Sequence, residues 1–502
     1  MRFYVTTPIY YVNDRPHIGH SYTTMMADIL ARHHRQRGEE TFFLTGVDEH
    51  ATKVWRAAEA QGKTAQEFVD EISEIWRALP ARLNAETDYF LRTTDEGHKR
   101  FVREFLQRIY DNGDVYEDVY SGPYCVSCEE FKSEDELIDG KCPIHLIPAE
   151  HLEEKNYFFR LSKYQDALLE LYDSGFILPE FRRNEMRSFV AGGLRDFSIS
   201  RAGQPWGIPL PWDESQVAYV WADALVNYLS ALTYARPGED LREAFWPEVR
   251  HLVGKDIIRF HTVYWPAMLM SAGYSVPKQV YAHGWLLLDD MKISKSLGNA
   301  LDPFPLIDTY GADPVRYWAT RAVSFGQDGS ASFEDIAARY ERELGNDLGN
   351  LLSRTTAMIV KYRDGAIPQG ETSPEIAAAI SAVHDNVPSQ IDAFDLTGAI
   401  DRIWLLVREL NRYVTEKAPW TLAKDDANAE ALDQVLHDLV DGLRAAAVAL
   451  WAYLPETSPK ILEALGQPAD PAWRNVAPNG LVPATIEAAA PLFPRIETAD
   501  AA

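Results

Sequence analysis

Arg2-Phe3-Tyr4-Val5-Thr6-Thr7, then Pro8-Ile9-Tyr10-Tyr11, then His17-Ile18-Gly19-His20 at the head of a helical run, is the stretch that decides the fold. Its first six residues have the β-branched and aromatic character of a strand. Ile18, Met25, Met26, Ile29 and Leu30 then recur at helical spacing to about residue 37. The unit repeats. Thr41-Phe42-Phe43-Leu44-Thr45 reads as a second strand, ending at Gly46-Val47-Asp48-Glu49-His50 and followed by helical sequence to about residue 79. This alternation predicts a parallel, doubly wound sheet with ligands at the carboxyl ends of its strands. His17, His20 and Asp48 fall at such ends. His17 and His20, three apart, share one helical face, and the N–H groups and dipole of a helix start favour an anion there.

Outward from that stretch, the alternation breaks between about residues 113 and 205 and reads as an insertion. It resumes with Val217-Ala218-Tyr219-Val220-Trp221 running into 222–231, and with Arg250-His251-Leu252-Val253-Gly254 running into 255–270. A further strand, Gln279-Val280-Tyr281-Ala282-His283, leads to a polar loop carrying Lys292-Ile293-Ser294-Lys295-Ser296, whose two lysines can close over a polyphosphate. Asp313-Pro314 reads as a helix cap followed by proline at the first helical position. From about residue 335 the chain is helical up to a proline-rich tail, with no internal repeat. The expected architecture is α/β: a Rossmann-like doubly wound parallel sheet with a zinc-binding insertion, followed by an all-α helix-bundle domain. The boundaries are 1–112 and 206–290 for the catalytic domain, 113–205 for the insertion, 291–335 for the lysine loop and connecting region, and 336–502 for the helical domain.

The insertion carries the metal signal. Cys125-Val126-Ser127-Cys128 and, thirteen residues on, Cys142-Pro143-Ile144-His145 are two facing knuckles. Three thiolates and one imidazole suit one closed, tetrahedral, structural zinc per chain. Glu129, Glu130, Lys132 and Glu134 make the stretch too polar for the cysteines to be small core residues, and His151 is an alternative to His145.

Composition limits the rest. At 502 residues the chain is too long for one core. Its 75 acidic against 49 basic residues give a net charge of −26, which speaks against a general nucleic-acid coat and requires any RNA to meet a local basic face. Three cysteines, all between 125 and 142, are no disulfide framework. The start shows no secretory leader, and no apolar run reaches the roughly 18 residues of a membrane span. The expectation is a soluble, cytoplasmic protein without membrane contact.

His17-Ile18-Gly19-His20 and Lys292-Ile293-Ser294-Lys295-Ser296 resemble the HIGH and KMSKS signatures of class I aminoacyl-tRNA synthetases, the second departing only by Ile293 for Met. The segments Tyr4–Asn13, Leu44–His50, Trp221-Ala222-Asp223-Ala224 and Val253–His261 resemble the methionyl-tRNA synthetases, and the likeness runs to about residue 460. Val47 and Ala51 stand where Thr and Gly are usual in that family. The zinc knuckle is similar to that of its zinc-bearing members, in which the fourth ligand is commonly Cys.

The resemblance implies a reaction: L-methionine and ATP, with Mg²⁺, give methionyl-adenylate, and the methionyl group passes to the terminal adenosine of tRNA(Met). The substrate carboxylate is its own nucleophile, so catalysis is positioning and charge neutralisation. His17, His20, Lys292 and Lys295 are implied as catalytic. Those four, with Gly19, Gly254 and Asp256, are implied as ATP-binding. Ile9, Tyr11, Trp221, Ala224, Leu225, Tyr228, Ile257 and His261 are implied as an apolar pocket for the thioether, and Asp48 as the partner of the substrate ammonium. Asn350, Arg354 and Trp420 match contacts to the CAU anticodon. The sequence stops at Ala502 without the dimerising extension of some family members, so a monomer is expected. Branched-chain synthetases carry a larger editing insertion, and a cysteine-specific enzyme needs zinc ligands among its pocket residues. A decayed, RNA-binding relative would have lost one of the two signatures.

Overall fold

The computed structural model describes residues 1–126, 130–132, 134–143, 146–288, 291–292 and 302–496. With strands numbered in chain order, six of them form one parallel sheet in the order β3-β2-β1-β11-β12-β7. These are β1 (Arg2–Tyr11), β2 (Glu40–Asp48), β3 (Tyr89–Arg92), β7 (Ile177–Leu178), β11 (Val249–Gly254) and β12 (Gln279–His283). The strand order reverses between β1 and β11, which makes their carboxyl ends the natural place for a ligand. The main crossover helices are α1 (Ile18–Gln36), α2 (Thr52–Ala60), α3 (Ala65–Arg82) and α4 (Glu96–Asp111).

Both faces of the sheet are covered. Phe3 and Val5 of β1 pack with Met25, Ile29 and Leu30 of α1, whereas Tyr4 between them packs with Phe42, Phe105 and Trp265 on the opposite side. Side chains of period two, apolar at every position, are what a doubly covered parallel strand requires. β1 extends past the expected Thr7 as far as Tyr11 because its pairing with β2 survives a register shift between Thr6 and Ile9. Pro8 lies in that shift and has no N–H to give the ladder.

The stretch 113–205 departs in part from the expectation of a pure insertion. β4 (Val115–Cys125), β5 (Glu130–Phe131), β6 (Glu150–Phe159) and β8 (Phe197–Ser198) form a separate antiparallel sheet, but β7 returns to the main sheet as its edge strand. Two residues are too few to show a period. Val217–Trp221 is not a βα unit of the main sheet either. β10 (Gln216–Ala218) pairs antiparallel with β9 (Ser200–Ala202), and Trp221 already lies on a short helix, Val220–Ala224. A five-residue apolar run fits a strand or a buried helix equally by periodicity.

Beyond β12, β13 (Leu286–Leu288) pairs with β14 (Met291–Lys292) and with β15 (Gly329–Ala331). Lys292 therefore sits at a strand position rather than in a loop, while Lys295 lies outside the described residues. Asp313 is not the cap expected of it. Gly311 holds that position for the helix Ala312–Ala322, and Asp313 Oδ2 accepts from the Glu456 and Thr457 amides at 3.0 and 2.7 Å. The helical region follows, centred on Leu396–Lys417 and Ala429–Leu450, the latter buried without a break from Val435 to its end. A helix apolar on every side belongs in an interior. Its core is continuous with the α1 face of the sheet. No helix among the described residues is long and apolar enough to cross a membrane.

The seam between sheet and helical region is polar and buried. Arg316 donates to the carbonyls of Leu83, Ala452 and Tyr453 at 3.1, 2.7 and 3.0 Å and pairs with Asp28 of α1 at 2.7 Å, both side chains being fully buried. Gln36, at the far end of α1, donates to the carbonyls of Val448 and Pro471, both at 2.9 Å.

Candidate active site

The head of α1 is closed by its own histidines. His17 is the N-cap and its Nδ1 accepts from the Gly19 amide at 3.1 Å, while His20 Nδ1 accepts from the His17 amide at 3.1 Å. The two rings stack at 3.6 Å between centroids. Two N–H groups that the sequence reading left for an anion are thus used by the imidazoles. The consequence is chemical: a ring whose Nδ1 accepts carries its proton on Nε2, so both present the same neutral donor tautomer. A Cβ at Gly19 would stand 3.0 Å from His17 Cε1, a tight fit against the capping ring. Tyr10 and Trp76 wall the His20 ring at centroid distances of 4.9 and 4.8 Å.

Asp48 ends β2 directly opposite Tyr11 of β1 and is buried. Across the switch point, β11 ends at Gly254, and the turn after it holds Asp256 and Ile257. A Cβ at Gly254 would lie 2.6 Å from Asp256 Oδ1, so glycine lets the exposed carboxylate fold back over the strand end. Trp285 Nε1 donates to that same Oδ1 at 3.2 Å, and Trp285 N donates to Asp328 at 2.8 Å. Asp256 is in this way tied to the segment that enters β13 and the lysine hairpin.

Of the eight residues expected to form an apolar pocket, Trp221 and His261 meet edge-on at 6.2 Å, and Tyr11, Tyr228 and Ile257 each touch one of those two. Ile9, Tyr11, Trp221 and Ile257 are half-buried, whereas Ala224, Leu225, Tyr228 and His261 are buried. The Tyr11 ring meets Trp221 edge-on at 6.2 Å, and Trp221 stacks on Phe260 at 3.9 Å. Tyr228 donates its hydroxyl to His261 Nε2 at 2.7 Å, because His261 Nδ1 already donates to the Ile257 carbonyl at 3.0 Å. Burial lowers the His261 pKa to about 4, despite its hydrogen bond to Ile257 and the nearby Asp256 charge. The imidazole is therefore neutral at pH 7.

Sequence reasoning gave no role to four residues beside these rings, Asp223, His50, His98 and Phe260. Asp223, on the helix that bears Trp221 and Ala224, is fully buried between His50 and His98. Phe260, the stacking partner of Trp221, also went unread. Asp223 and His50 stand inside quoted motifs, but nothing in their spacing announces that they meet.

In the insertion, Cys125 ends β4 and Cys142 opens a turn in which the Leu146 amide donates to the Cys142 carbonyl and the Cys142 amide to the Ile147 carbonyl. Tyr124 pairs with Glu150 at the start of β6, so Cys125 lies at that end of the β4/β6 pair. Both sulfurs are buried, although the segments around them are turn-rich and acidic. Buried thiols in such surroundings fit a metal site. Cys128 and His145 lie outside the described residues. His151 is a strand residue opposite Pro123 with an exposed side chain, unlike the two cysteines.

In the helical region Arg354, on Asn350–Arg363, places its guanidinium 5.7 Å from the centre of the Trp420 ring, and that tryptophan is 40% exposed. Asn350 is exposed one turn earlier on the same helix. Arg412, on the neighbouring helix, is held by Glu375, Glu409 and Glu416, which raise its pKa.

The family model described as tRNA synthetases class I (M) matches the chain over residues 3–150 and 136–356. The methionine–tRNA ligase of Streptomyces coelicolor is 44% identical over 529 residues, covering 100% of this chain and 98% of its own. That of Thermotoga maritima is 44% identical over 512 residues, covering 100% of this chain and 81% of its own. The solved structure of Mycobacterium tuberculosis methionyl-tRNA synthetase in complex with methionyl-adenylate has a TM-score of 0.93 at 40% identity, with 98% of this chain and 100% of that one covered. The free state of the Mycobacterium tuberculosis enzyme gives 0.87 at 37% identity, covering 99% and 98%.

Proposed function

This chain belongs to the class I tRNA synthetases that act as methionine–tRNA ligases, and from that premise we propose that one site, at the switch point between β1 and β11, carries out both halves of the reaction. The chain activates methionine with ATP and charges tRNA. The observation that carries the residue assignment is the convergence, at adjacent strand ends, of an acidic group, an apolar aromatic pocket and two imidazoles in one tautomer.

In the assigned mechanism the thioether lies among Ile9, Tyr11, Trp221, Ala224, Leu225, Tyr228, Ile257 and His261, held by shape and dispersion. Asp48 takes the ammonium, which leaves the substrate carboxylate pointing towards the α-phosphate of ATP. Asp256 takes ribose hydroxyls with Gly254 beside it, and Gly19 gives the adenine ring close approach to backbone. No protein base is needed, because the carboxylate attacks as it stands. His17 and His20 donate from Nε2 to phosphate oxygens as charge builds in the pentavalent transition state, while Lys292 and Lys295 meet that charge from the opposite side. Mg²⁺, which accompanies ATP in this family, supplies further charge neutralisation on the phosphates.

The adenylate then gives its acyl group to the terminal ribose of tRNA and releases AMP. Arg354 and Trp420 form a cation–π pair with an exposed aromatic face, and such faces stack unpaired bases. With Asn350 they are assigned to the CAU anticodon, and the chain is assigned a monomeric, cytoplasmic state. One zinc, held by Cys125, Cys128, Cys142 and His145, would tie the end of β4 to the start of β6.

Amino-acid-dependent ATP–pyrophosphate exchange across all twenty amino acids tests the pocket. Exchange with methionine alone is expected. Exchange driven by another amino acid overturns the pocket assignment, and silence throughout from folded protein overturns the site as a whole.

A further inference from the structure

The mechanism leaves unused a buried carboxylate in contact with two buried imidazoles. His50 Nδ1 lies 2.6 Å from Asp223 Oδ2, and His98 Nε2 lies 2.7 Å from Asp223 Oδ1. His98 Nδ1 in turn lies 2.7 Å from Ser230 Oγ. All four residues are buried, Asp223, His98 and Ser230 completely. Burial alone would push the Asp223 carboxyl up, but the two histidines outweigh it and hold the pKa near 2, so the group is a carboxylate at pH 7.

The four residues belong to separate pieces of the chain. His50 stands two residues beyond Asp48, on the turn that leaves β2, and its amide approaches Asp48 Oδ1 at 3.4 Å. Asp223 stands on the turn of helix that carries Trp221 and Ala224. His98 lies on α4, and no residue of α4 is among those assigned to the substrate. A carboxylate that accepts from two fixed imidazoles through different oxygens has its orientation set at both ends.

We propose that Asp223 is a positioning residue for methionine: its carboxylate clamps the Asp48–His50 turn to the helix bearing Trp221 and Ala224, and His98 anchors that clamp to α4. The distance between the ammonium partner and the thioether pocket is thereby set by side chains that touch no substrate. Methionine is the ligand that spans both halves of the clamp. ATP is not, since Gly254, Asp256 and the α1 histidines are held by other contacts. The inference rests on the pocket assignment made above.

The test is ATP–pyrophosphate exchange with His98→Ala, His98→Gln, His50→Ala and His50→Asn, reading KM for methionine and for ATP separately. The amide of glutamine can stand in for Nε2–H, and that of asparagine for Nδ1–H. Each alanine variant is expected to raise KM for methionine about ten- to a hundredfold, the worth of a charge-assisted hydrogen bond, with KM for ATP unchanged. The matched amide variants are expected to recover most of that loss. The two histidines give independent readings, so one unfolded alanine variant leaves the other pair to decide. A fall in melting temperature with both KM values unchanged overturns the proposal, as does an equal rise in both. Absence of methionine-dependent exchange in the unaltered protein would instead bring down the site assignment on which the clamp depends.

Discussion

Replacing Arg316 by methionine takes one buried cation out of the seam between α1 and the helical region. Its guanidinium has four partners there, three carbonyls and the Asp28 carboxylate. Asp28 would keep the Arg32 guanidinium at 2.8 Å and the Glu86 amide at 2.7 Å, so its charge would not be stranded. The carbonyls of Leu83, Ala452 and Tyr453 would each lose this donor inside the protein. Because Asp28 stays paired, the loss falls below the roughly 3–5 kcal/mol of a buried pair broken so that one charge is stranded. The apolar stem of methionine offsets part of the carbonyl loss, each carbonyl being worth about 1 kcal/mol. A net loss of roughly 2–3 kcal/mol is expected in urea unfolding followed by tryptophan fluorescence. Arg316→Met combined with Asp28→Asn should show a coupling of about 1–3 kcal/mol between the two sites. A loss below about 1 kcal/mol, or strict additivity, would refute the reasoning, because the pair would then contribute no more than an exposed one.

Lys295→Ala should cut ATP–pyrophosphate exchange by about a hundredfold or more while methionine binding by calorimetry persists; unchanged exchange removes Lys295 from the mechanism. Trp420→Ala is expected to weaken tRNA charging with exchange intact, and loss of both would mark it as a packing residue. The His261 imidazole takes its proton near pH 6.5 when unfolded and near pH 4 when folded, so the unfolded chain binds more protons between those values. Stability should therefore fall as pH drops from 6.5 to 4, by up to roughly 3 kcal/mol from this group, and His261→Gln should flatten that slope. Metal analysis is expected to return one zinc per chain, and chelation should lower the unfolding temperature; a metal-free protein of undiminished stability would count against the knuckle.

The sequence made the two halves of the switch point legible because each announces itself locally. β1 with α1, β11 and β12 show their periods over five residues or more, and the site residues drawn from them assemble at one sheet end. Shorter elements did not show. β7 is two residues long, and β10 gives way to helix after three. Long-range partnership was invisible altogether. Asp223 meets His50 and His98 across 173 and 125 residues, and Asp313 serves amides 143 and 144 residues away rather than its own helix. Nor could spacing reveal that the two signature histidines would cap their own helix, since that depends on side-chain rotamers.

The neighbour of β1 on one side is β2, some 30 residues on; on the other it is β11, and the buried bond from Thr6 to His251 spans 245 residues. A ribosome adding about 5–20 residues per second needs roughly 10–50 s to cover that interval. Throughout it, β1 has one edge without its native partner, open to other chains. Growing polypeptides halted near residue 200 should consequently associate with chaperones or aggregate, whereas those halted past β12 should resist protease. The strand that founds the proposed active site is thus one of the first made and one of the last to be sheltered.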